Sequence, residues 1–373
     1  MDIGLIIYDN LGRRSGGYLY DRKLVEHLRT QGDRVKIISL PGRNYPKHLS
    51  DNLSKSLLQQ LTQETFDVLL QDELNHPSLF WLNRRIRRHN RQDEPANYPL
   101  ISIVHHLRSS EGQSPWQKRF YRWVERWYLN SVDGFIFNSQ TTRRSVETLA
   151  IEGRPSVVAY PGKDHLKAEI QAHEIAQRVE EPGPLRILFI GNVIPRKGLH
   201  TILDALRSLP PEMCRLTVVG SLTEDPVYAN TLLKQVNQMG LGGRVEALGS
   251  ISDGELSNQL QQHQLLVMPS SYEGFGIAYL EAMGFGLPVI GTQRGGASEI
   301  ITSGENGYLI APQDSEALTA HLQELHQDPQ RLLTMSLAAR QRYQAHPTWK
   351  QSGERIRSFL KGLAQSKKKD GEL

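Results

Sequence analysis

A chain of 373 residues is too long for one ordinary core and suits two domains. Hydrophobic residues at 38% and charged residues at 23% exclude a disordered or fibrous chain, and no apolar run approaches the ~20 residues of a membrane-spanning helix. The net charge of +4 is uneven, +5 over residues 1–180 and −1 over residues 181–373, which points to an anionic partner for the first half.

A single cysteine, Cys214, can form no internal disulfide and fits a reducing compartment. Met1 to Tyr8 has no basic leader or cleavage site and is too short for a signal peptide, so a cytoplasmic protein is expected. In chain order, the apolar runs Ile3–Tyr8, Val35–Leu40, Phe66–Leu70, Leu100–Val104, Gly134–Phe137 and Ser156–Tyr160 predict strands. Several are nearly unbroken in Val, Ile and Leu, as in parallel strands buried on both faces. Helical stretches separate them, such as 18–31 with Gly32 as its C-cap. Glu180 to Pro184 (EEPGP) breaks both periodicities and reads as a linker.

The pattern then restarts with Arg186–Ile190, Leu216–Val219, Val245–Leu248, Leu265–Met268, Val289–Ile290 and Tyr308–Ile310. The prediction is an α/β chain of two Rossmann-like doubly wound domains, residues 1–180 and 181–345. Their ligands belong at an interdomain cleft lined by the carboxyl ends of the strands. Lys367, Lys368 and Lys369 read as a solvated, frayed end.

Two helices of the basic half carry special faces. Arg84, Arg87, Arg88 and Arg91 share one side, opposite Leu79, Leu82 and Ile86. Trp116, Phe120, Trp123 and Trp127 form an aromatic stripe beside Lys118, Arg122 and Arg126. Such faces can lie on anionic lipid headgroups as a peripheral membrane contact. The weightier alternative is a solvated charged face with the aromatic stripe packed on the sheet. No nucleic-acid module is recognisable.

The segment from Pro269 to Glu299, PSSYEGFGIAYLEAMGFGLPVIGTQRGGASE, carries the strongest signal. A strand enters a loop, and a helix is expected from about 275 to 285. Gly274 and Gly276 let the backbone approach a ligand, and the helix start at Phe275 and Ile277 offers N–H groups and a positive dipole end to a diphosphate. Glu273 can accept from sugar hydroxyls and Glu281 from a ribose diol. The first half has GRRSGG at Gly12–Gly17, which is not the GxGxxG of a dinucleotide-binding dehydrogenase.

This segment resembles the donor-binding signature of retaining glycosyltransferases of family four, whose GT-B fold has two Rossmann-like domains. The E-x7-E pair matches Glu273 and Glu281, and FIGNVIPRKGLHTILDAL (Phe189–Leu206) resembles the family's phosphate-binding block. The resemblance implies that Lys197, with Arg196 beside it, binds the donor diphosphate. It implies that Gly16 and Gly17 lie near donor phosphate and acceptor, and that His105 contacts the transferred sugar. The base should lie near Gly249–Ile251, with Ile251 a contact. Two departures are Asn192, where the family has arginine after the strand glycine, and His106, where an acid is common. His106 reads as structural.

The implied activity is transfer of a sugar, with retention, from a nucleotide-diphosphate sugar to an acceptor hydroxyl in polysaccharide or glycolipid synthesis. UDP is the leading base, with GDP or ADP open. No Asp-x-Asp follows a strand, so metal independence is expected, with no cofactor beyond the donor substrate. Residues 346–373 should return as a helix, near 349–364, to the first domain. The competing class is a catalytically idle donor-binding partner subunit, motivated by Asn192.

Overall fold

The computed structural model describes residues 1–89, 98–111 and 114–371. The chain divides into two compact units, Met1–Gly162 with Pro347–Leu373, and Lys163–His346. The first unit holds strands β1 (Asp2–Tyr8), β2 (Arg34–Leu40), β3 (Val68–Asp72), β4 (Leu100–Val104), β5 (Gly134–Phe137) and β6 (Ser156–Val158). They form one parallel sheet in the order β2-β1-β3-β4-β5-β6. The second unit holds β7 (Leu185–Ile190), β8 (Cys214–Val219), β9 (Val245–Gly249), β10 (Leu265–Val267), β11 (Val289–Thr292) and β12 (Gly307–Ile310). Its parallel order is β12-β11-β10-β7-β8-β9.

In each sheet the chain runs outward to one edge, returns to the middle, and runs out the other way. The reversal leaves a crevice between β1 and β3 in the first sheet and between β7 and β10 in the second. Neighbouring connections part there, and ligands of such sheets bind at the carboxyl ends of the strands. The inner strands β3, β4 and β5 are buried along their whole length, as their apolar runs demand.

Four expectations need correction. The run expected at Phe66–Leu70 pairs two residues later, so β3 carries Gln71 and Asp72 to its end. Phe66 instead packs its ring edge-on against Tyr98 at 5.5 Å.

The expected boundary at 180/181 also moves. The helix Ala172–Glu180 belongs to the second unit, because the Arg178 guanidinium donates to the carbonyls of Leu260, Gln261, Phe285 and Gly286. The Pro-Gly break that follows ends this helix before β7.

The aromatic stripe is not packed on the sheet. In the helix Pro115–Leu129 the inward face is Val124, Glu125, Tyr128 and Leu129, with Tyr128 donating to Ser102 Oγ at 3.0 Å. Trp116, Phe120, Trp123 and Trp127 face outward. In the helix Leu82–His89, Leu82 and Ile86 are buried while Arg87 and Arg88 are exposed; Arg91 lies outside the described residues.

The last helix, Trp349–Gly371, runs further than predicted, its backbone continuing past Lys367–Lys369. It lies in the first unit. Trp349 meets Tyr20 edge-on at 5.7 Å, Ser352 Oγ donates to Tyr160 O at 2.6 Å, and Arg357 Nε donates to Asp33 Oδ2 at 2.6 Å. Leu360 has no exposed surface. Leu360→Ala is therefore expected to cost about 3 kcal/mol through the cavity it leaves. The measurement is the midpoint of chemical denaturation; a shift within error would show that this helix is only loosely applied to the first core.

Candidate functional site

In the second unit, two loops meet across the crevice between β7 and β10. After β7 the chain makes one 3-10 turn, Pro195–Lys197, and passes through Gly198 at φ +75° into the helix Leu199–Ser208. A Cβ on Gly198 would lie 2.2 Å from the carbonyl oxygen of Pro269, so only glycine fits there. One main-chain and one side-chain bond lace the loops: Ser271 N donates to Arg196 O at 2.8 Å, and Arg196 Nη1 donates to Tyr272 O at 3.0 Å.

The sequence assigns Lys197 and Glu273 to different parts of one ligand, and the structure joins them. Lys197 Nζ lies 2.6 Å from Glu273 Oε1, which also accepts from Ser270 Oγ at 2.7 Å; Arg196 Nη1 stands 3.8 Å away. Burial alone would raise the Glu273 carboxyl. The charges of Lys197 and Arg196, with the bonds from Lys197 and Ser270, outweigh it and hold Glu273 below the usual range. Burial pulls the Lys197 ammonium down, opposed by Glu273. Two cations thus stand beside one carboxylate at the strand ends, where side chains of this charge suit an anion.

The Glu273 backbone is fixed from its other side. Gly296 N donates to Glu273 O at 2.8 Å, and a Cβ on Gly295 (φ +92°) would meet that same oxygen at 1.8 Å. The Gly295-Gly296 pair is thus the seat of the Glu273 loop. The helix begins later than expected, Ile277–Gly284, with Gly276 at φ +94° as N-cap and no side-chain cap. Its first N–H groups therefore lack a capping side chain. Phe275 is buried and its ring tilts toward His346 at 5.6 Å, so any ligand contact at 275 must use backbone. Glu281 is half-buried on this helix; burial, then the charge of Asp253, pushes its carboxyl up to about 8. Ile251, also half-buried, follows β9, and Asn192 is half-buried after Gly191.

In the first unit the crevice between β1 and β3 holds a second cluster. Gly16 and Gly17 are not a loop before the helix; they are its first turn, in Gly16–Thr30, with Ser15 as N-cap. A Cβ on Gly17 would touch the His105 ring at 3.1 Å, so Gly17 makes room for that imidazole. His105 Nε2 lies 3.3 Å from Asp21 Oδ1, and its carbonyl accepts from Asn138 Nδ2 at 2.9 Å. Burial would lower its pKa. The bond and charge of Asp21, then the charges of Asp72 and Glu73, raise it to about 9. Burial and the nearby Asp21 push Asp72 well up, and burial pushes Glu73 to about 7. His106 Nε2 lies 3.0 Å from Glu111 Oε1.

Asp21, Asp72 and Ser270 escape the sequence reading. Asp72 ends a central parallel strand, a position where acids carry function, but the strand was placed two residues early. Asp21 sits inside a helix among Tyr20 and Arg22 and gives no local signal. Asp21, Asp72 and His105 also bring one ligand atom each within 4.8 Å of one another, the one such metal-competent group among the described residues.

A pH dependence follows from this cluster. His105 has a folded pKa above its ordinary 6.5, so its stabilisation is fully present below 6.5 and lost as pH rises through about 9. Asp21→Asn should bring the His105 titration, followed by NMR of the ring protons, down by more than one unit and flatten the loss of stability between pH 6.5 and 9. An unchanged titration would show that Asp21 does not hold the proton.

Comparison with known proteins gives this geometry a family. The glycogen synthase of Mycobacterium tuberculosis is 26% identical over 67% of this chain and 60% of its own length. A GDP-mannose-dependent alpha-(1-6)-phosphatidylinositol monomannoside mannosyltransferase of Mycolicibacterium smegmatis is 28% identical over 48% of this chain and 49% of its own. The chain thus spans between about half and three-fifths of the length of these curated relatives. The crystal structure of Anabaena HepE in complex with UDP-glucose has the same fold, with a TM-score of 0.75 at 20% identity over 97% of this chain and 100% of that one. The expected GT-B class, two Rossmann-like domains, holds. Residues 15–165 match the family model "Glycosyltransferase Family 4" and residues 167–342 match "Glycosyl transferases group 1". With a domain of each kind in this order, the chain belongs to the group 1 and family 4 glycosyltransferases.

Proposed function

We propose that this protein transfers a sugar, with retention of anomeric configuration, from a nucleotide-diphosphate sugar to an acceptor hydroxyl in polysaccharide or glycolipid synthesis. The observation that carries the reading is the Lys197–Glu273 pair across the β7–β10 crevice, with Arg196 beside it. A diphosphate is the kind of anion that a lysine ammonium with an arginine beside it, held at strand ends, can bind. In the departing diphosphate negative charge grows, and a fixed ammonium aimed at growing charge lowers the barrier. The open helix start at Gly276 and Ile277 adds its dipole.

Glu273 would orient the sugar, Glu281 the ribose and the main chain near Ile251 the base. His105, held as a cation by Asp21, would donate to a hydroxyl of the transferred sugar. Retention follows if the donor phosphate itself takes the acceptor proton on the attacked face, which needs no second carboxylate at the reacting carbon. UDP is the first base to test, since HepE binds UDP-glucose, and GDP the second, since the mannosyltransferase relative is GDP-mannose-dependent. A lipid-linked or carbohydrate acceptor, a cytoplasmic setting and independence of metal complete the reading. We read Asp21, Asp72 and His105 as an ion-pair network because His105 Nε2 is directed at Asp21.

The competing reading, an idle donor-binding subunit, draws on Asn192 alone. Thermal unfolding against a panel of UDP-, GDP- and ADP-sugars in EDTA decides the donor: the cognate one raises the midpoint by mass action. Stabilisation that depends on added divalent metal would overturn metal independence. Stabilisation with neither transfer nor slow donor hydrolysis would favour the idle subunit.

For catalysis, Lys197→Ala should lower kcat by about 10²–10³, the scale of losing one fixed donor to developing charge. Glu281→Ala should act mainly on KM. Near-normal turnover in the first variant, or unchanged donor affinity in the second, refutes the role assigned to that residue.

A further inference from the structure

The helix Pro115–Leu129 turns its large aromatics to solvent. Trp116 is 68% exposed, Trp123 51%, Trp127 42% and Phe120 39%, and Trp81, next to Phe80, is 42% exposed. These rings form one patch: Trp123 lies 5.6 Å from Trp127, 6.5 Å from Phe120 and 6.3 Å from Phe80. Three of the chain's five tryptophans stand on this helix, and Trp81 is exposed next to Phe80. A soluble monomer has no energetic reason to leave so much aromatic surface wet.

The exposed charge on this helix has one sign. Lys118, Arg119, Arg122 and Arg126 are exposed on the same helix, and its one acid, Glu125, is fully buried, with Oε1 accepting from Ser109 N at 3.0 Å. The Arg84 guanidinium lies 4.2 Å from the centre of the Trp127 ring, tying the neighbouring helix Leu82–His89 into the face. Tryptophan interleaved with arginine is the chemistry of the headgroup layer, where the indole takes the acyl boundary and the cation takes phosphate. A second copy of the chain is a poor occupant. Two-fold self-contact would set these cations against one another.

We propose that this face of the first unit docks on an anionic lipid bilayer, lying in the headgroup plane with Trp116 and Trp123 inserted. The surface deepens the reading above, resting on it for the lipid-linked acceptor, but binding to lipid needs neither donor nor acceptor. Sedimentation with vesicles of phosphatidylcholine alone, or with 30% phosphatidylglycerol in the sense of roughly one anionic lipid in three, tests it on the full chain without nucleotide. Binding is expected only to the anionic vesicles, with tryptophan emission quenched by brominated acyl chains. Each cation near such a surface strengthens binding about fivefold, so Arg119→Gln/Arg122→Gln/Arg126→Gln should weaken it about 100-fold. Trp116→Ser/Trp123→Ser should weaken it at least tenfold and abolish much of the quenching. Both sets of side chains are exposed, so unfolding midpoints should hold, and donor-induced stabilisation should persist in both variants.

No anionic preference, no quenching, or binding indifferent to both variants would overturn the proposal. So would a dimer or a protein complex that these substitutions dissolve. Loss of donor stabilisation in the unaltered chain, with vesicle binding intact, would sink the transferase reading alone.

Discussion

The chemistry proposed for the second unit depends on one ion pair at the carboxyl ends of two adjacent parallel strands. Lys197 comes from the turn after β7 and Glu273 from the loop after β10, far apart in sequence and 2.6 Å apart in space. Neither could hold its charge there alone, since burial works against both. The pair survives because the two loops are bound to each other through Ser271 and Arg196, and because Gly198 and Gly295 permit contacts closer than any side chain allows. A phosphate arriving at Lys197 competes with Glu273 for the ammonium. In the proposed reading, donor binding and the orientation of Glu273 would thereby be coupled through one nitrogen.

The first unit solves a related problem with opposite sign. Around His105 the buried groups are mainly acids: Asp21, Asp72 and Glu73. Burial, and for Asp72 the neighbouring charge of Asp21, pushes Asp72 and Glu73 toward their protonated forms against the pull of His105, while Asp21 makes the direct contact with the ring. The result is a crevice whose imidazole is kept charged, in contact with a helix start that has glycine where the ring needs space. The unit built on the more basic stretch of sequence therefore buries three acids, Asp21, Asp72 and Glu73, beneath this crevice.

The alternation of apolar runs and helices made all twelve strands legible, most plainly the inner ones such as β3, β4 and β5, which are buried on both faces and admit few polar residues. The Glu273 loop was legible for another reason: the glycines at 276, 295 and 296 mark close approaches where a side chain does not fit. Asp72 was missed because a Gln-Asp ending looks like a loop when only hydrophobicity is counted. The domain seam was misplaced because Pro182 and Gly183 signal the end of a helix and say nothing about which core that helix joins. Arg178, an ordinary surface residue by type, decides that question through its carbonyl contacts. The outward turn of the tryptophans was equally hidden. A stripe at helical spacing looks the same whether it faces sheet or solvent, and only the burial of Val124, Tyr128 and Leu129 settles it.

The closing helix gives the chain a particular order of birth. Residues 163–346 leave the ribosome, and can complete their own core, while Tyr20 still lacks Trp349 and Asp33 still lacks Arg357. The unit translated first is finished last. During that interval the groups this helix covers stay open, and transiently exposed apolar surface of that kind favours misassembly.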